Sequence, residues 1–447
     1  MNRSKKFCDG VDRRSFLRIG SAGVFGSSWT LNQLLHSQAA ATETNSVSTK
    51  DERSLIIVFL KGGLSTIDTF DMKPNAPVEI RGEFKPISTN IPGTSVCDLL
   101  PRVSQQMDKF SLIRSFNHPI SNHGHADHYV LTGYPPSPSF TASLRPNNER
   151  PSHGSIISKS LGARGSIPAY VCIPDPHPSY GPAYLGANAS PLLINSDPND
   201  PSFSVRDIVP PLDLDANRLD RRHEVLSIVD RFHQTQEIQA NSNLRSVDEF
   251  RQRAFQLMTS RDAKKAFNID SESAALRDQY GRNTLGQSCL MARRLVEAGV
   301  RCVTISHVDW DTHQGNFTLL RRDLLPALDA AMSSLYSDLH ERGMLESTIV
   351  LVTGEFGRTP RINNIAGRDH WGPAFTVMLG GGGIAGGRIV GATDKHAEKP
   401  TDNPYGSEDL AATLHHQLGI NPNAEFHTPE GRPIKIANDG RLIKELI

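Results

Sequence analysis

The sequence lacks three features that would identify a partner directly. Lysine plus arginine and aspartate plus glutamate number 48 each, so no net charge favours nucleic acid or an anionic membrane surface as a partner. After the N-terminal region, no stretch is long and apolar enough to span a bilayer. No cysteine pair has a CxxC or other zinc spacing. The partner must therefore be sought in the chemistry of a local site.

Cysteines are also few. Cys289 belongs to an apolar helical pattern and Cys302 to a strand pattern, so both are predicted to lie in the core. An oxidising compartment would permit disulfides. Cys97 and Cys172 are left open between a disulfide and a core position.

A dinucleotide-binding fingerprint is present in form only. The glycine-rich stretch "MLGGGGIAGG" contains Gly381-x-Gly383-x-x-Gly386, but the strand-like segment "GRIVGATD" follows where the fingerprint requires a helix. The stretch is predicted to be a hairpin or a close-packed loop.

The N-terminus has the pattern of an export signal. Arg13 and Arg14 precede a mildly apolar segment, which ends in the small residues "SQAAA" near Ala41. This order of features resembles a twin-arginine signal and predicts an exported protein, periplasmic or extracellular. We therefore expect a signal peptide at residues 1–41, a linker at 42–53 and one folded domain at 54–447.

The folded part shows an α/β pattern. Short, apolar, β-branched runs without alternation occur at residues 55–60, 300–305 and 348–352, as in parallel strands that are covered on both faces. Helical apolar patterns lie between them, with Gly299 and Gly343 as stop signals. A three-layer α/β sandwich with a mostly parallel central sheet is predicted. Residues 135–215 are predicted to be largely irregular, and residues 216–275 to form a helical insertion.

Acidic and histidine residues follow these strands. Ligands of open parallel sheets bind at the carboxyl ends of the strands. The residues that follow strand ends here, or come shortly after them, are Asp68, Asp71, Asp309, Asp311, His313, Glu355, Arg358, Asp369 and His370. Carboxylates that gather at one edge repel each other unless a cation neutralises them. A divalent metal site is therefore predicted, with zinc first and manganese or magnesium as alternatives. The structural alternative is a set of turn residues and hydrogen-bonded pairs.

A further histidine-rich stretch, "NHPISNHGHADHYVLTGYPP", predicts a helix that begins near His123 and is capped by Ser121 or Asn122. The N-terminus of a helix attracts anions. Ser121 and His123 are therefore candidates for the reacting centre. The plainer alternative is a capped helix with one partly buried histidine.

Several of these motifs together resemble a known family. Their order and sequence are similar to those of motifs in exported bacterial proteins with a domain of unknown function. The motifs are "GGLSTIDTFDMKP", "NHGHADHYVLTGYPPSP", "DWDTH", "VTGEFGRTP" and "GRDHWG". That family is placed in the alkaline phosphatase and sulfatase superfamily. The resemblance covers nearly the whole chain and implies hydrolysis of phosphate or sulfate esters at a two-metal site.

The resemblance also implies roles for single residues. Asp309 and His313 correspond to the Asp-xxx-His ligands of the superfamily, and His370 to its last histidine ligand. Gly62 stands where the first strand normally ends in a ligand aspartate, and Phe356 replaces a ligand histidine. No residue matches the serine or threonine nucleophile securely. The altered positions imply one metal fewer, or a site that has lost its activity.

Two functions are therefore expected as alternatives. The first is metal-dependent hydrolysis of an anionic ester. In it the metal ligands are drawn from Asp68, Asp309, Asp311, His313, Glu355 and His370, while Ser121, His123 and Arg358 act on the ester. The second is a non-catalytic relative that binds a ligand or a partner protein in the same cleft.

Overall fold

The computed structural model describes residues 52–142, 148–205, 257 and 259–447. The predicted signal peptide and most of the predicted linker and helical insertion lie outside these residues. Within them, no helix has both the length and the apolar character needed to cross a membrane.

The helices alternate with strands along most of the chain. The α-helices are α1 (Val78–Arg81), α2 (His123–Thr132), α3 (His153–Leu161), α4 (Arg261–Phe267), α5 (Ala274–Tyr280), α6 (Thr284–Glu297), α7 (Asn316–Leu319), α8 (Leu325–Glu341) and α9 (Ser407–Gln417). A π-helical segment, Leu320–Leu324, joins α7 to α8. Single 3₁₀ turns, such as Thr66–Asp68, connect other elements.

The strands form one large sheet and several short ribbons. They are β1 (Ser54–Leu60), β2 (Pro86–Ser88), β3 (Ser95–Cys97), β4 (Phe110–Phe116), β5 (Tyr170–Ile173), β6 (Leu192–Leu193), β7 (Cys302–His307), β8 (Thr348–Thr353), β9 (Gly357–Arg358), β10 (His370–Trp371), β11 (Phe375–Gly380), β12 (Ile389–Val390), β13 (Ala392–Thr393), β14 (Pro400–Asp402), β15 (Glu425–His427) and β16 (Pro433–Lys435).

The large sheet has the order β12-β4-β11-β8-β1-β7-β5-β6. Strand β1 pairs in parallel with both β7 and β8, so the three predicted strands are neighbours and their following loops open on the same edge. Strand β11 runs antiparallel to β8 and β4. The prediction of a mostly parallel sheet is confirmed.

Both faces of the sheet are covered, which explains why the strand sequences do not alternate. All seven residues of β1 are buried. Ile56 and Val58 belong to a core shared with α6 and α8, whereas Leu55 and Ile57 belong to a second core shared with α2, α3 and α9. The two cores on either side of the sheet give the predicted three-layer sandwich.

The helix patterns read from the sequence are also confirmed. The apolar residues of α6 are buried, and Gly299 follows the helix with a φ of 106° that favours glycine. Pro326 is near the start of α8, directly after the π-helical segment. Helix α3 was not predicted, because it lies in the region that was interpreted as irregular. Its local signal is Ser152, whose side chain accepts a hydrogen bond from the Ser155 N–H at the helix start.

The four cysteines of the described chain are all buried and free, so Cys97 and Cys172 join Cys289 and Cys302 as core residues. Burial raises the pKa of the Cys97 thiol to about 12.

The glycine-rich stretch forms a close-packed turn, as predicted. A side chain at Gly381 would bring a Cβ atom to 2.2 Å from the Thr348 carbonyl oxygen.

Candidate metal centre

The loops that follow β1, β7 and β8 meet at one edge of the sheet. Glu355 comes from the loop after β8, and its side chain is completely buried. The carboxylate accepts hydrogen bonds from the Gly62 N–H at 2.8 and 3.0 Å and lies 2.6 Å from Nδ1 of His123. Burial, reinforced by the negative charge of Asp127, raises the pKa of Glu355, and His123 opposes this shift.

Gly62 is required at this position for two reasons. Its φ of 113° lies in a region that other residues rarely adopt, and a Cβ there would lie 2.3 Å from the backbone nitrogen of Asp311. Gly62 therefore lets the loop after β7 approach closely, and it provides the N–H that binds Glu355.

The side chains of three histidines are each held at Nδ1 by an oxygen atom. His123 Nδ1 faces Glu355, His313 Nδ1 lies 2.6 Å from an Asp369 carboxylate oxygen, and His370 Nδ1 lies 2.9 Å from the Ser121 carbonyl oxygen. Carbonyl and carboxylate oxygens accept hydrogen bonds, so Nδ1 carries the proton in each ring. In the neutral rings the lone pair is therefore on Nε2.

The Nε2 atoms of these histidines converge on Asp311. His123 Nε2 lies 3.2 Å from Oδ2, and the Nε2 atoms of His313 and His370 each lie 3.1 Å from Oδ1. The two latter nitrogens are 2.8 Å apart. Candidate ligand atoms of His123, Asp311 and His370 all lie within 4.8 Å of one another. Lone pairs placed this closely repel unless a proton or a cation lies among them, so the donor set fits a metal ion.

Charges at the cluster follow from the same contacts. Although partial burial alone would raise it, the Arg358 hydrogen bond and charge lower the pKa of Asp311 to about 2. Burial lowers the pKa of His370, which favours its neutral form. The pKa of His123 is raised, because hydrogen bonding to Glu355 and the charges of Glu355 and Asp311 outweigh the lowering effect of burial.

Arg358, which was predicted to contact an anionic group, binds other parts of the protein in this structure. Its side chain is completely buried. The guanidinium donates to the carbonyl oxygens of Gly62, Gly63, Trp310 and Arg368 and to the Asp311 carboxylate. Arg358 therefore fixes the loops and holds Asp311 in place.

Asp68, which was predicted to be a ligand, lies away from the cluster. Its carboxylate binds the buried Arg368 through both oxygens at 2.8 Å, and it also accepts from Asn316 Nδ2 at 2.8 Å and Ser65 Oγ at 2.6 Å. Asp71, the other possible substitute, instead pairs with Lys73 and Thr393. With donors on both oxygens, Asp68 is an anchor for the segment that precedes His370.

Asp309 does not reach the cluster either. It is exposed and has a φ of 75°, in the left-handed region. The next residue, Trp310, is buried, and this fixes the loop so that Asp311 faces the histidines. The Asp-xxx-His spacing that the resemblance implied is replaced by the shorter pair Asp311 and His313.

Helix α2 begins at His123, as predicted, with Asn122 at the N-cap position. Neither predicted cap accepts a hydrogen bond from a helix N–H with its side chain. Asn122 instead bonds His125 at 3.0 Å, and the Ser121 hydroxyl accepts from the Gly372 N–H at 3.2 Å. Ser121 contributes its carbonyl oxygen to His370, and His123 is the residue of this stretch that enters the cluster.

Three further residues lie beside the cluster, and of these only Asp369 was among the strand-end residues singled out from the sequence. Phe356 stacks on His370 with ring centroids 4.5 Å apart. His118 Nε2 lies 2.7 Å from the Glu355 carbonyl oxygen. Asp369 orients His313. The position of Asp369 directly before His370 was the one available sequence signal among these.

The fold and this site define an α/β protein with a candidate metal centre at the carboxyl edge of its parallel strands. The chain belongs to the family described as Protein of unknown function (DUF1501), whose family model matches residues 52–447. No curated protein matches it.

Solved structures show distant likeness. The chain is similar to Ps i-CgsB at 11% identity and a TM-score of 0.40, covering 87% of this chain and 75% of that one. It is similar to a protein in the alkaline phosphatase superfamily from Vibrio parahaemolyticus at 11% identity and a TM-score of 0.38, covering 88% and 69%. The corresponding values for the phosphonate monoester hydrolase SpPMH from Silicibacter pomeroyi are 13%, 0.34, 88% and 76%. Similarity at this level assigns no activity.

Proposed function

We propose that the chain is a metal-dependent hydrolase of phosphate or sulfate esters. In this proposal His123, Asp311 and His370 hold one divalent metal ion, and His313 lies at its edge. The observation that carries the proposal is the convergence of Nε2 atoms on Asp311 while every Nδ1 atom is tied to an oxygen. Ligating histidines in proteins are usually fixed at their second nitrogen in this way.

The donor set favours zinc. Imidazole nitrogen with carboxylate oxygen is a common zinc combination, and manganese accepts the same atoms. Magnesium prefers oxygen ligands and water, so it fits this histidine-rich set less well. Asp68 and Asp309 are not part of the proposed ligand set, because they lie away from the converging atoms.

The chain's own groups have distinct roles in the proposal. A zinc ion bound here would supply Lewis acidity and lower the pKa of a coordinated water. Glu355 orients His123, Asp369 orients His313, and Arg358 holds the Asp311 carboxylate. Because the Ser121 hydroxyl is bonded to a backbone N–H, water is the proposed attacking group in place of a serine.

A second candidate function is a non-catalytic protein that binds a ligand or partner in the same cleft. The buried arginines beside the cluster favour it. Arg358 and Arg368 are both fully engaged, with backbone carbonyls and with Asp311 or Asp68 respectively. Neither guanidinium is free to bind the charge of an ester.

We also propose that the protein is exported through its twin-arginine segment, to the periplasm or the medium. Changing Arg13 and Arg14 to lysine should retain the protein in the cytoplasm. Delivery of the double variant at the normal level would contradict this part of the proposal.

Elemental analysis and ester assays test the main proposal. Protein purified from its native compartment should carry about one zinc or manganese ion per chain, and it should hydrolyse p-nitrophenyl phosphate or p-nitrophenyl sulfate. His370→Ala should lose both the metal and the activity. His396→Ala is a matched control, since His396 is partly exposed and lies 3.9 Å from Glu398.

The outcomes separate the two candidates. Metal without hydrolysis of either ester would support the non-catalytic protein. Wild-type protein that takes up no zinc or manganese, even after incubation with the metals, would refute the metal centre itself.

A further inference from the structure

A cavity separate from the candidate metal centre lies beyond the C-terminal end of α2. It has a volume of about 400 Å³ and is lined by four short segments: residues 134–137, 149–150, 432–435 and 438–439. Helix α2 carries His123 at its first position and ends at Thr132, just before this cavity. At 1.5 Å per residue, the cavity lies about 15 Å along the helix from the candidate metal centre.

The walls of this cavity are held in place by buried groups. His128 of α2 is completely buried, and its Nδ1 donates to the Tyr134 carbonyl oxygen at 3.0 Å, while Nε2 accepts from the Glu149 N–H at 3.1 Å. Burial lowers the pKa of His128 to about 4, so the ring is neutral and can donate and accept at once. The Tyr134 hydroxyl donates to the Lys435 carbonyl oxygen at 2.6 Å and so holds the segment 432–435 in place.

The positive charges of the cavity are only partly neutralised. The Glu149 carboxylate accepts from the Ser137 N–H at 2.8 Å and its hydroxyl at 2.5 Å. Lys435 pairs with Asp439. Within the described residues, the other two cations of the lining, Arg150 and Arg432, form no ion pair with a carboxylate at 4.0 Å or less, although the charges of Arg150 and neighbouring Glu149 interact.

Arg150 is also oriented in advance. Its guanidinium carbon lies 5.2 Å from the centroid of the Tyr134 ring, a cation–π arrangement that restricts the side chain. An arginine held this way loses less conformational freedom when it binds an anion. Arg432 stands in the turn before β16, on another wall of the cavity.

We propose that this cavity is an oxyanion-binding site for a sugar-sized ligand that carries a sulfate or phosphate group. Arg150 and Arg432 bind the charged group, and the Tyr134 side chain forms a flat wall. A volume of about 400 Å³ is within the usual range for small-molecule sites, roughly 300–1,000 Å³, and is larger than one inorganic ion requires.

The cavity would also help to bind the substrate, an inference that rests on the proposed function. A substrate with more than one charged group could place one group at the metal centre and another in this cavity. The binding itself does not depend on the metal, because no residue of the candidate metal centre lines the cavity.

Titration calorimetry tests the proposal with glucose 6-sulfate, glucose 6-phosphate and inorganic sulfate, each against sodium chloride of equal ionic strength. The wild type should bind both sugar esters more tightly than free sulfate. The Arg150→Ala/Arg432→Ala double variant should bind them at least tenfold more weakly. Arg361→Ala is the matched control, since that arginine is 77% exposed with a carboxylate 3.8 Å away, and it should bind as the wild type does.

Three results would overturn the proposal. They are no binding above the chloride control, equal affinity in the double variant, and equal affinity for free sulfate and the sugar esters. If the double variant does not fold, Arg432→Ala alone can replace it. This residue lies in an exposed turn, so the change removes one cation and leaves the contact between Arg150 and the Tyr134 ring intact. Repeating the titration on chelator-treated protein separates the two proposals. Binding of the sugar esters to the cavity does not require the metal, so it should be the same with and without chelator even if the metal centre does not exist.

Discussion

Two aspartates at the same edge of the sheet, Asp68 and Asp311, each bind a buried arginine, yet their surroundings differ. The Asp68 carboxylate is 1% exposed and is surrounded by donors from Arg368, Asn316 and Ser65. The Asp311 carboxylate is 43% exposed and faces imidazole Nε2 atoms as well as Arg358.

The difference shows what separates a structural carboxylate from a candidate ligand. Amide, hydroxyl and guanidinium groups bring their own hydrogens, so the lone pairs of Asp68 are already used. In their neutral forms the imidazoles around Asp311 present Nε2 lone pairs instead, because their Nδ1 atoms hold the protons. The chemical type of the neighbours distinguishes the two sites, since both aspartates follow strand ends.

The largest expected effect comes from breaking the structural pair. Asp68→Ala should lower the free energy of unfolding by about 3–5 kcal/mol, because it leaves the buried Arg368 without its carboxylate. Urea denaturation measures this loss. Asp68→Asn, which retains the shape and part of the hydrogen bonding, should lose less. A loss below that of Asp311→Ala in metal-free protein would contradict the assignment of Asp68 as the anchor.

Stabilisation by bound metal should depend on Asp311 and not on Asp68. Free metal at about 100 times its dissociation constant adds about 2.7 kcal/mol to the stability of a protein that binds it only when folded. A chelator should therefore lower the melting temperature of the wild type and leave Asp311→Ala almost unchanged. A chelator effect of the same size in both proteins would place the metal elsewhere.

Histidines outside both regions provide the smallest expected effect. His415 is completely buried, and neither of its ring nitrogens has a hydrogen-bond partner within the described part. Burial lowers the pKa of His415 well below 6.5. At acidic pH the unfolded chain therefore binds a proton at His415 that the folded chain does not bind. The contribution of this histidine to stability is fully present above about pH 6.5 and decreases as the pH falls below that value.

His415→Leu should remove part of this pH dependence, about 1–2 kcal/mol between pH 6.5 and 4.5. Denaturation curves at several pH values would measure it. His153, whose pKa burial lowers to about 4, remains in the variant and should keep a residual slope. An unchanged slope in His415→Leu would show that other groups dominate the acid sensitivity.

Sequence patterns were sufficient for the framework of the molecule. The buried, β-branched runs predicted β1, β7 and β8 as parallel neighbours, because full burial on both faces removes alternation. They also predicted that Asp311, Glu355 and His370 come from loops on one edge. That these residues bind a metal stays a prediction.

The positions of the other predicted site residues depend on contacts that have no local signal. Asp309 and Asp311 look equivalent in the sequence, and only the burial of Trp310 between them decides which one faces the histidines. Arg358 and Asp68 are polar residues in loops, where exposure is the usual expectation. Their burial depends on partners more than forty positions away in the chain, such as Trp310 for Arg358 and Arg368 for Asp68.

The contacts of Arg358 indicate the order of folding and metal binding. Its guanidinium joins the chain after β1, at Gly62, to the chain after β7, at Trp310, and these two points are far apart in sequence. They meet only when the central strands have paired. The histidine cluster therefore cannot exist on an unfolded chain, and a metal would be acquired by a finished fold whose binding atoms already stand in place.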